Sequence, residues 1–530
     1  MSSTPEFAFA AVAAPHSAAS AAGQAILAQG GNAIEAMTAM AATIAVVYPH
    51  MNGLGGDGVW LVREPGGKVR CLEALGAAGS RATIRSYFDK GHEKAIPARG
   101  PLAALTAPGA VAGWAQALEL SRALGGRLPL ADLLRDAIRH AREGCPVSPC
   151  EARTKPNQFG ELKEAPGFAA AFLDKGEPAK AGESRHQEKL AETLDHLAHA
   201  GLMDFYRGDV AREIAADLAV IGSPVTRDDL KKQDARWRTP LSVRLKDCTI
   251  FNAPPPTQGL ASLMILGLFE RLDVSRPDSF EHVHALVEAT KRAFAIRDRE
   301  CADFQWPASD PERWLAPDVL EREAHAISMS RAATYPLPAS NGDTVWMGAV
   351  DANGLAVSCI QSIYWEWGSG CVLPATGVLM NNRGIAFSLD DDSIHALRPG
   401  RRPFHTLNPP LASYDDGRVA VYGSMGGDGQ PQFQAQVFSR VRFGMAPDAA
   451  VGAPRFLLGR TWGEETTFLK MEDGFDPSLV RAMERAGHEV KVLPDTHPDS
   501  FGHAGVLLRA RDGRIRGAHD PRADGGAAGL

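Results

Sequence analysis

Thr344 stands where a polar loop, Asn341-Gly342-Asp343, meets an apolar run from Val345 to Val350. A hydroxyl at the first position of a strand, behind a loop that can be strained, suits self-cleavage. The Thr oxygen attacks the carbonyl of Asp343, water resolves the ester, and a new α-amino group is freed on Thr344. Such an amine titrates at about 7.7–8.0 and can take the proton of the hydroxyl on its own residue, so one residue supplies nucleophile and base. By its residues alone the same Thr also reads as a structural residue opening a strand, and both readings stand at this point.

A second place for chemistry is the run Gly423-Ser424-Met425-Gly426-Gly427. Val419 to Tyr422 reads as a strand and Gln432 to Arg440 as a helix. Glycines between them leave bare backbone N–H groups near a helix N-terminus, where an oxyanion would be held. A tight structural turn is the alternative. Other groupings are weaker. His196 and His199, and His282 and His284, have no third ligand in register and read as surface or core histidines. Cys145 and Cys150 flank Pro146 and Pro149 without further ligands, so no metal is expected.

These residues need elements to hold them. Ser17 to Gln29 reads as a helix closed by Gly30-Gly31, and Asn32 is placed to cap a buried helix from Ala33 to Val47 that Pro49 ends. The spacing Gly53-x-Gly55-x-x-Gly58 imitates a dinucleotide fingerprint, yet it follows a helix and opens the strand Val59 to Val62, the reverse of what that motif requires. It reads instead as a tight loop packed under a neighbouring strand. Residues 110 to 330 read as mostly helical scaffold, including Gln187 to His199 and His282 to Arg299. After residue 341 come β-rich runs: Val345 to Val350, Leu355 to Ile360, Gly377 to Met380 and Val419 to Tyr422. Helices and strands alternate without a regular βαβ rhythm, which favours a layered sandwich. The Gly-Ala-rich end, Gly525 to Gly529, is the one low-complexity tract.

The 530 residues, 45% apolar and 22% charged, can build a large core, and no apolar run is long enough to span a membrane. A net charge of -7 supplies no basic field, so nucleic acid is not an expected partner. Arg398, Arg401 and Arg402 read as a solvated loop with a possible anion contact. The N-terminal run lacks a basic segment and the seven cysteines are dispersed, which together point to a reducing, cytoplasmic setting.

The chain resembles the gamma-glutamyltranspeptidases, N-terminal-nucleophile hydrolases that mature by self-cleavage. The resemblance is carried by Gly30-Gly31-Asn32-Ala33, the glycine loop, Ala107-Pro108-Gly109, Arg297-Asp298-Arg299 and Asp520-Pro521-Arg522. Around Thr344 it is carried by Val350-Asp351, Gly354, Gly368-Ser369-Gly370, Asn381-Asn382 and Gly423-Ser424 with Gly426-Gly427. It implies an α+β fold, a four-layer αββα sandwich, cut between Asp343 and Thr344 into residues 1 to 343 and 344 to 530 that stay together as a heterodimer. It further implies Thr344 as nucleophile, Gly426 and Gly427 as the oxyanion hole, and Ser362 as the hydroxyl that orients the nucleophile. No cofactor is implied.

The departures concern recognition. Leu75 occupies the position of the arginine that clamps the glutamyl carboxylate, and Ala386 that of the acid that binds its ammonium. His405-Thr406 replace paired serines and Tyr364 replaces an asparagine, while Arg383 is new. Burying both charges of a glutamyl group requires partners for both. Their loss favours a small acidic amide, with Arg383, His405, Thr406 and Tyr364 as substrate-binding residues. Three local phrases, at 342 to 348, 360 to 364 and 426 to 432, resemble the branch of the family that hydrolyses oxamate. A loop from Phe387 to His405 that reads as short predicts an open pocket and plain hydrolysis. The alternatives are a gamma-glutamyl hydrolase or transpeptidase, and an acylase for bulkier cephalosporin-type amides.

Overall fold

The computed structural model describes residues 4–153, 156–303, 310–335, 343–459, 467–494 and 499–530. Its inner layers are two seven-stranded sheets. In one the strand order is Gly526–Gly529, Ala11–Ala14, Asp343–Val350, Ala356–Tyr364, Asp57–Arg63, Val69–Ala74 and Arg236–Arg238; in the other it is Glu6–Phe7, Ile515–His519, Ala504–Arg509, Val419–Ser424, Leu411–Tyr414, Cys248–Asn252 and Leu241–Arg244. Every neighbouring pair in both is antiparallel. The period of two sends alternate side chains to opposite faces. Val59, Leu61, Trp346, Val350 and Ile360 therefore meet Leu411, Val419, Val421 and Leu507 in a core between the sheets.

The outward faces are covered by helices. Ala33–Val47 begins with a capping box, in which Asn32 accepts the N–H groups of Ile34 and Glu35 and the Glu35 carboxylate accepts the N–H of Asn32. All fifteen of its residues are buried, as its unbroken apolar sequence requires. With Ser17–Ala28, Leu130–Glu143 and Glu188–Ala200 it covers the first sheet. Gly259–Phe269, Phe280–Glu300 and Gln430–Arg442 cover the second. The layers run helix, sheet, sheet, helix, as expected. Both sheets take strands from each side of the 343/344 junction, so the two segments share one core.

Residues 110 to 330 are mostly helical, as expected, although Leu241–Arg244 and Cys248–Asn252 are strands of the second sheet, of which the apolar-polar alternation of Leu241-Ser242-Val243-Arg244 was the legible sign. One expectation is corrected. Gly377 to Met380 is no strand and makes only isolated bridges, Gly55 with Met380 and Val372 with Leu379. Its backbone is taken up by the glycine loop and by the segment folding back on itself. The Gly-Ala tail is ordered as the edge strand Gly526–Gly529, paired with Ala11–Ala14.

Candidate active site

Thr344 lies second in the strand Asp343–Val350, where the ladder slips. Asp343 pairs with Tyr364 but Val345 with Gln361, so a bulge falls at Thr344. Bulges re-aim a side chain out of the regular pleat. The Thr344 hydroxyl donates to Ser362 Oγ at 3.2 Å and accepts from Gln430 Nε2 at 3.3 Å. Ser362 Oγ also accepts the N–H of Tyr364 at 2.8 Å. Tyr364 has a φ of 83°, rare for a residue with a side chain, and the serine holds it there. Asn341 and Gly342, the loop of the predicted cleavage site, lie outside the described residues.

Gln430 opens the helix Gln430–Arg442, one short turn after Gly426 (φ 121°) and Gly427 (φ 51°). Those angles need glycine. Among the described residues no acceptor is recorded for the N–H of either glycine, whereas Gly427 O accepts from Gln258 Nε2 at 2.8 Å. Gln258 Nε2 also donates to Thr406 O at 2.9 Å, and Asn408 Nδ2 donates to Gln430 Oε1 at 3.0 Å. Arg297 Nη1 joins Gln258 Oε1 and Asp428, both at 3.1 Å. The turn is thus fixed from behind, leaving two N–H groups beside a helix that begins on the Thr344 hydroxyl.

The glycine loop packs under a neighbouring strand, as expected, at Ser362. A Cβ on Gly55 would stand 2.1 Å from Leu379 O, and one on Gly56 would stand 2.3 Å from Ser362 O. Asn381 Nδ2 donates to Gly55 O at 2.7 Å, and Asn381 Oδ1 accepts the N–H of Arg383 at 2.9 Å.

The predicted binding residues come together. Arg383 is buried; its Nη1 donates to Thr406 Oγ1 at 3.3 Å, and its Cζ lies 3.8 Å from the centre of the Tyr364 ring. Its Nε and Nη2 have no hydrogen-bond partner among the described residues, nor has either ring nitrogen of His405. Burial lowers the Arg383 guanidinium to about 10 and holds the His405 imidazole, near Arg383 and Arg402, well below its ordinary value. Tyr364 and Ala386 line an adjoining cavity of about 310 Å³ with Phe387 and Phe404.

Thr344, His405 and Thr406 are 0% exposed, and Phe387, Leu389 and Leu397 pack with Tyr87, Ile96 and Leu105 as a small core of their own. One expectation about the pocket fails: it is not without an acid. Asp57 is the direct cross-strand partner of Ser362, and its Oδ2 lies 4.0 Å from His405 Nε2. Oδ1 accepts the N–H of Gly76 at 2.7 Å while Oδ2 has no hydrogen bond among the described residues. Burial pushes this carboxyl up to about 7, against the pull of Arg383 and Arg402. Sequence reading passed over Asp57 because it lay inside a glycine run taken as structural. The one sign was a charged residue at the mouth of an otherwise apolar strand. Gln430 was passed over as well, since the helix was expected to start two residues later.

The remaining candidates are held elsewhere. Arg401 and Arg402 are buried rather than solvated: Arg401 caps Ala396 O at 3.0 Å, and Arg402 Nε donates to Leu75 O at 3.2 Å. His196 reaches Asp204 at 3.2 Å, and His282 pairs with Ser439 Oγ at 2.9 Å. His284 gathers with Glu288 and His488, but the Lys291 ammonium already sits 2.7 Å from Glu288. Cys150 gathers with Asp499 and His503, and Arg153 bonds both Cys150 and Asp499.

The chain, with a Thr at the start of a strand whose hydroxyl meets Ser362 and Gln430, a glycine turn and a buried cationic pocket, is similar to known proteins. The model of the gamma-glutamyltranspeptidase family matches residues 19–530. The chain belongs to this family. Among gamma-glutamyltranspeptidase relatives it is 49% identical over 518 residues to the oxamate amidohydrolase proenzyme of Klebsiella pneumoniae, covering 97% of each chain. It is 38% identical to a glutathione hydrolase-like proenzyme of Bacillus subtilis, covering 98% of each. The crystal structure of a cephalosporin acylase from Bacillus halodurans superposes with a TM-score of 0.92 at 32% identity, covering 100% of this chain and 97% of that one. These gamma-glutamyltranspeptidase-family relatives carry the names of hydrolases of C–N bonds, and this chain is an amide hydrolase of the same αββα architecture.

Proposed function

We propose that the protein is a self-processing hydrolase in which Thr344 is the nucleophile and the substrate is the amide of a small acidic acyl group, of which oxamate is the model. Cleavage between Asp343 and Thr344 frees the α-amino group that takes the hydroxyl proton. Ser362 and Gln430 orient the oxygen, and Gly426 and Gly427 hold the oxyanion of each tetrahedral intermediate. Attack on the carboxamide releases ammonia, and water then hydrolyses the oxalyl ester to oxalate.

One observation carries the substrate assignment: the buried Arg383 guanidinium, which has two groups without hydrogen-bond partners among the described residues and stacks on Tyr364, itself bonded to Ser362 beside Thr344. A buried guanidinium in that state is costly until an anion meets it, and a carboxylate one bond from the scissile carbonyl suits so short a reach. The similarity to an oxamate amidohydrolase supports the same reading. Asp57 favours a second reading, since an ionised acid there would serve the α-ammonium of a gamma-glutamyl substrate. The purified protein should release ammonia from oxamate and little glutamate from gamma-glutamyl-p-nitroanilide. The opposite pattern overturns the assignment, and release from a cephalosporin side-chain amide alone would move it to the acylases.

A further inference from the structure

Three buried groups lack hydrogen-bond partners among the described residues at once: Arg383 Nε and Nη2, both nitrogens of His405, and Asp57 Oδ2. They belong to three separate segments, and all three are fully or almost fully buried. Asp57 is fixed by its other oxygen, which accepts from Gly76. A Cβ on Gly109 would stand 2.9 Å from that same oxygen, so the bare glycine leaves the room in which the carboxyl sits. Thr344, Ser362 and Asp57 are side chains of three adjacent strands. The first two are hydrogen-bonded and the last two are cross-strand partners, so Asp57 stands in the row that begins with the nucleophile.

Charge decides what such a site can accept. With Asp57 ionised, its charge offsets that of Arg383 and a carboxylate substrate would enter against an unpaired anion at low dielectric. With Asp57 as the neutral acid, Arg383 faces the substrate carboxylate alone and Asp57 adds an O–H donor. We propose that Asp57 is a specificity-determining residue that donates, as the neutral carboxylic acid, to the substrate carboxylate held by Arg383, so that binding draws one proton into the site. This rests on the acidic-amide reading above. The groups facing Asp57 are Arg383, Arg402 and His405, with Tyr206 nearby; His405 stays neutral and the phenol of Tyr206 is driven up by burial. The exchangeable proton therefore belongs to Asp57, whose carboxyl burial holds near 7.

The test uses the cleaved enzyme with oxamate between pH 6 and 9, following ammonia. KM should rise toward about tenfold per pH unit above 7, with kcat changing much less. Asp57→Asn, which keeps the oxygen facing Gly76 and always carries N–H donors, should remove that slope. Should Asp57→Asn fail to mature, the wild type still decides. Pyruvate has the shape of oxamate without the amide, and its binding at pH 8 in buffers of different ionisation enthalpy should take up close to one proton. A KM that is flat with pH, an unchanged slope in Asp57→Asn, or pyruvate binding without proton uptake overturns the proposal. Absence of oxamate turnover at every pH, with glutamate released instead, sinks the substrate reading itself. Loss of that gamma-glutamyl activity in Asp57→Asn would then give Asp57 to an ammonium.

Discussion

Ser362 does two jobs with one oxygen, and Ser362→Ala separates them by magnitude. The Thr344 hydroxyl loses its acceptor at 3.2 Å but keeps the Gln430 donor at 3.3 Å. A hydrogen bond of this kind has a net worth of about 0.5–1.5 kcal/mol, so self-cleavage should slow by roughly 2- to 12-fold. The second loss is larger. The buried N–H of Tyr364 has its 2.8 Å bond to the same oxygen, and an orphaned donor costs about 1–3 kcal/mol. That bond also fixes a Tyr at φ 83°, a conformation that by itself costs about 1–3 kcal/mol. Denaturant unfolding of the variant should show a lower midpoint with an unchanged slope, and a time course on a gel should show slower appearance of the two fragments. Ser362→Thr, which keeps the oxygen, should restore most of both. A Ser362→Ala protein that matches the wild type in midpoint and in cleavage rate would refute the assignment of either role.

Gly427→Ala places a methyl group at φ 51° and disturbs one of the two free N–H groups, so kcat should fall by about 100- to 1000-fold with a smaller change in KM, read by ammonia release from mature enzyme. Asp520 sits in a buried network with Arg455 and Arg522, the latter at 2.9 Å, and Arg522 also reaches Glu472. Burial would raise this carboxyl, but the two guanidinium groups hold it well below the usual range. Its stabilising contribution is therefore present above the unfolded value of about 3.9 and is lost as pH falls below it. Thermal midpoints should drop steeply below about pH 4, and Asp520→Ala should cost about 3–5 kcal/mol at neutral pH by leaving two buried cations short of an anion.

How far the sequence carried the fold depended on how local each signal was. The helix Ala33–Val47 could be read to the residue because its cap, its apolar run and Pro49 all lie within one stretch. The glycine loop could be rejected as a nucleotide site from the order of its flanking elements alone. Gly377 to Met380 could not be placed, since its apolar residues are equally at home in a strand or beneath a glycine loop, and only Gly55 and Cys371 decide which. At the site, Arg383, His405, Thr406 and Tyr364 were found through the places where family charges had gone missing. Asp57 shares no local motif with them. It joins them through a cross-strand register with Ser362, and register is a long-range property that no window of sequence displays. The packing of the loop after Phe387 was hidden for the same reason, because its length says nothing of the core it forms with Tyr87, Ile96 and Leu105.

The central claim is that Thr344 frees itself by cutting the bond to Asp343. Purified wild-type protein should run as fragments of about 37 and about 20 kDa, in proportion to their residue share of the 56.5 kDa chain, with Thr as the first residue of the smaller one. Thr344→Ala should remain a single full-length chain and release no ammonia. A wild-type protein that stays whole while hydrolysing amides, or a Thr344→Ala protein that still divides, would contradict the account.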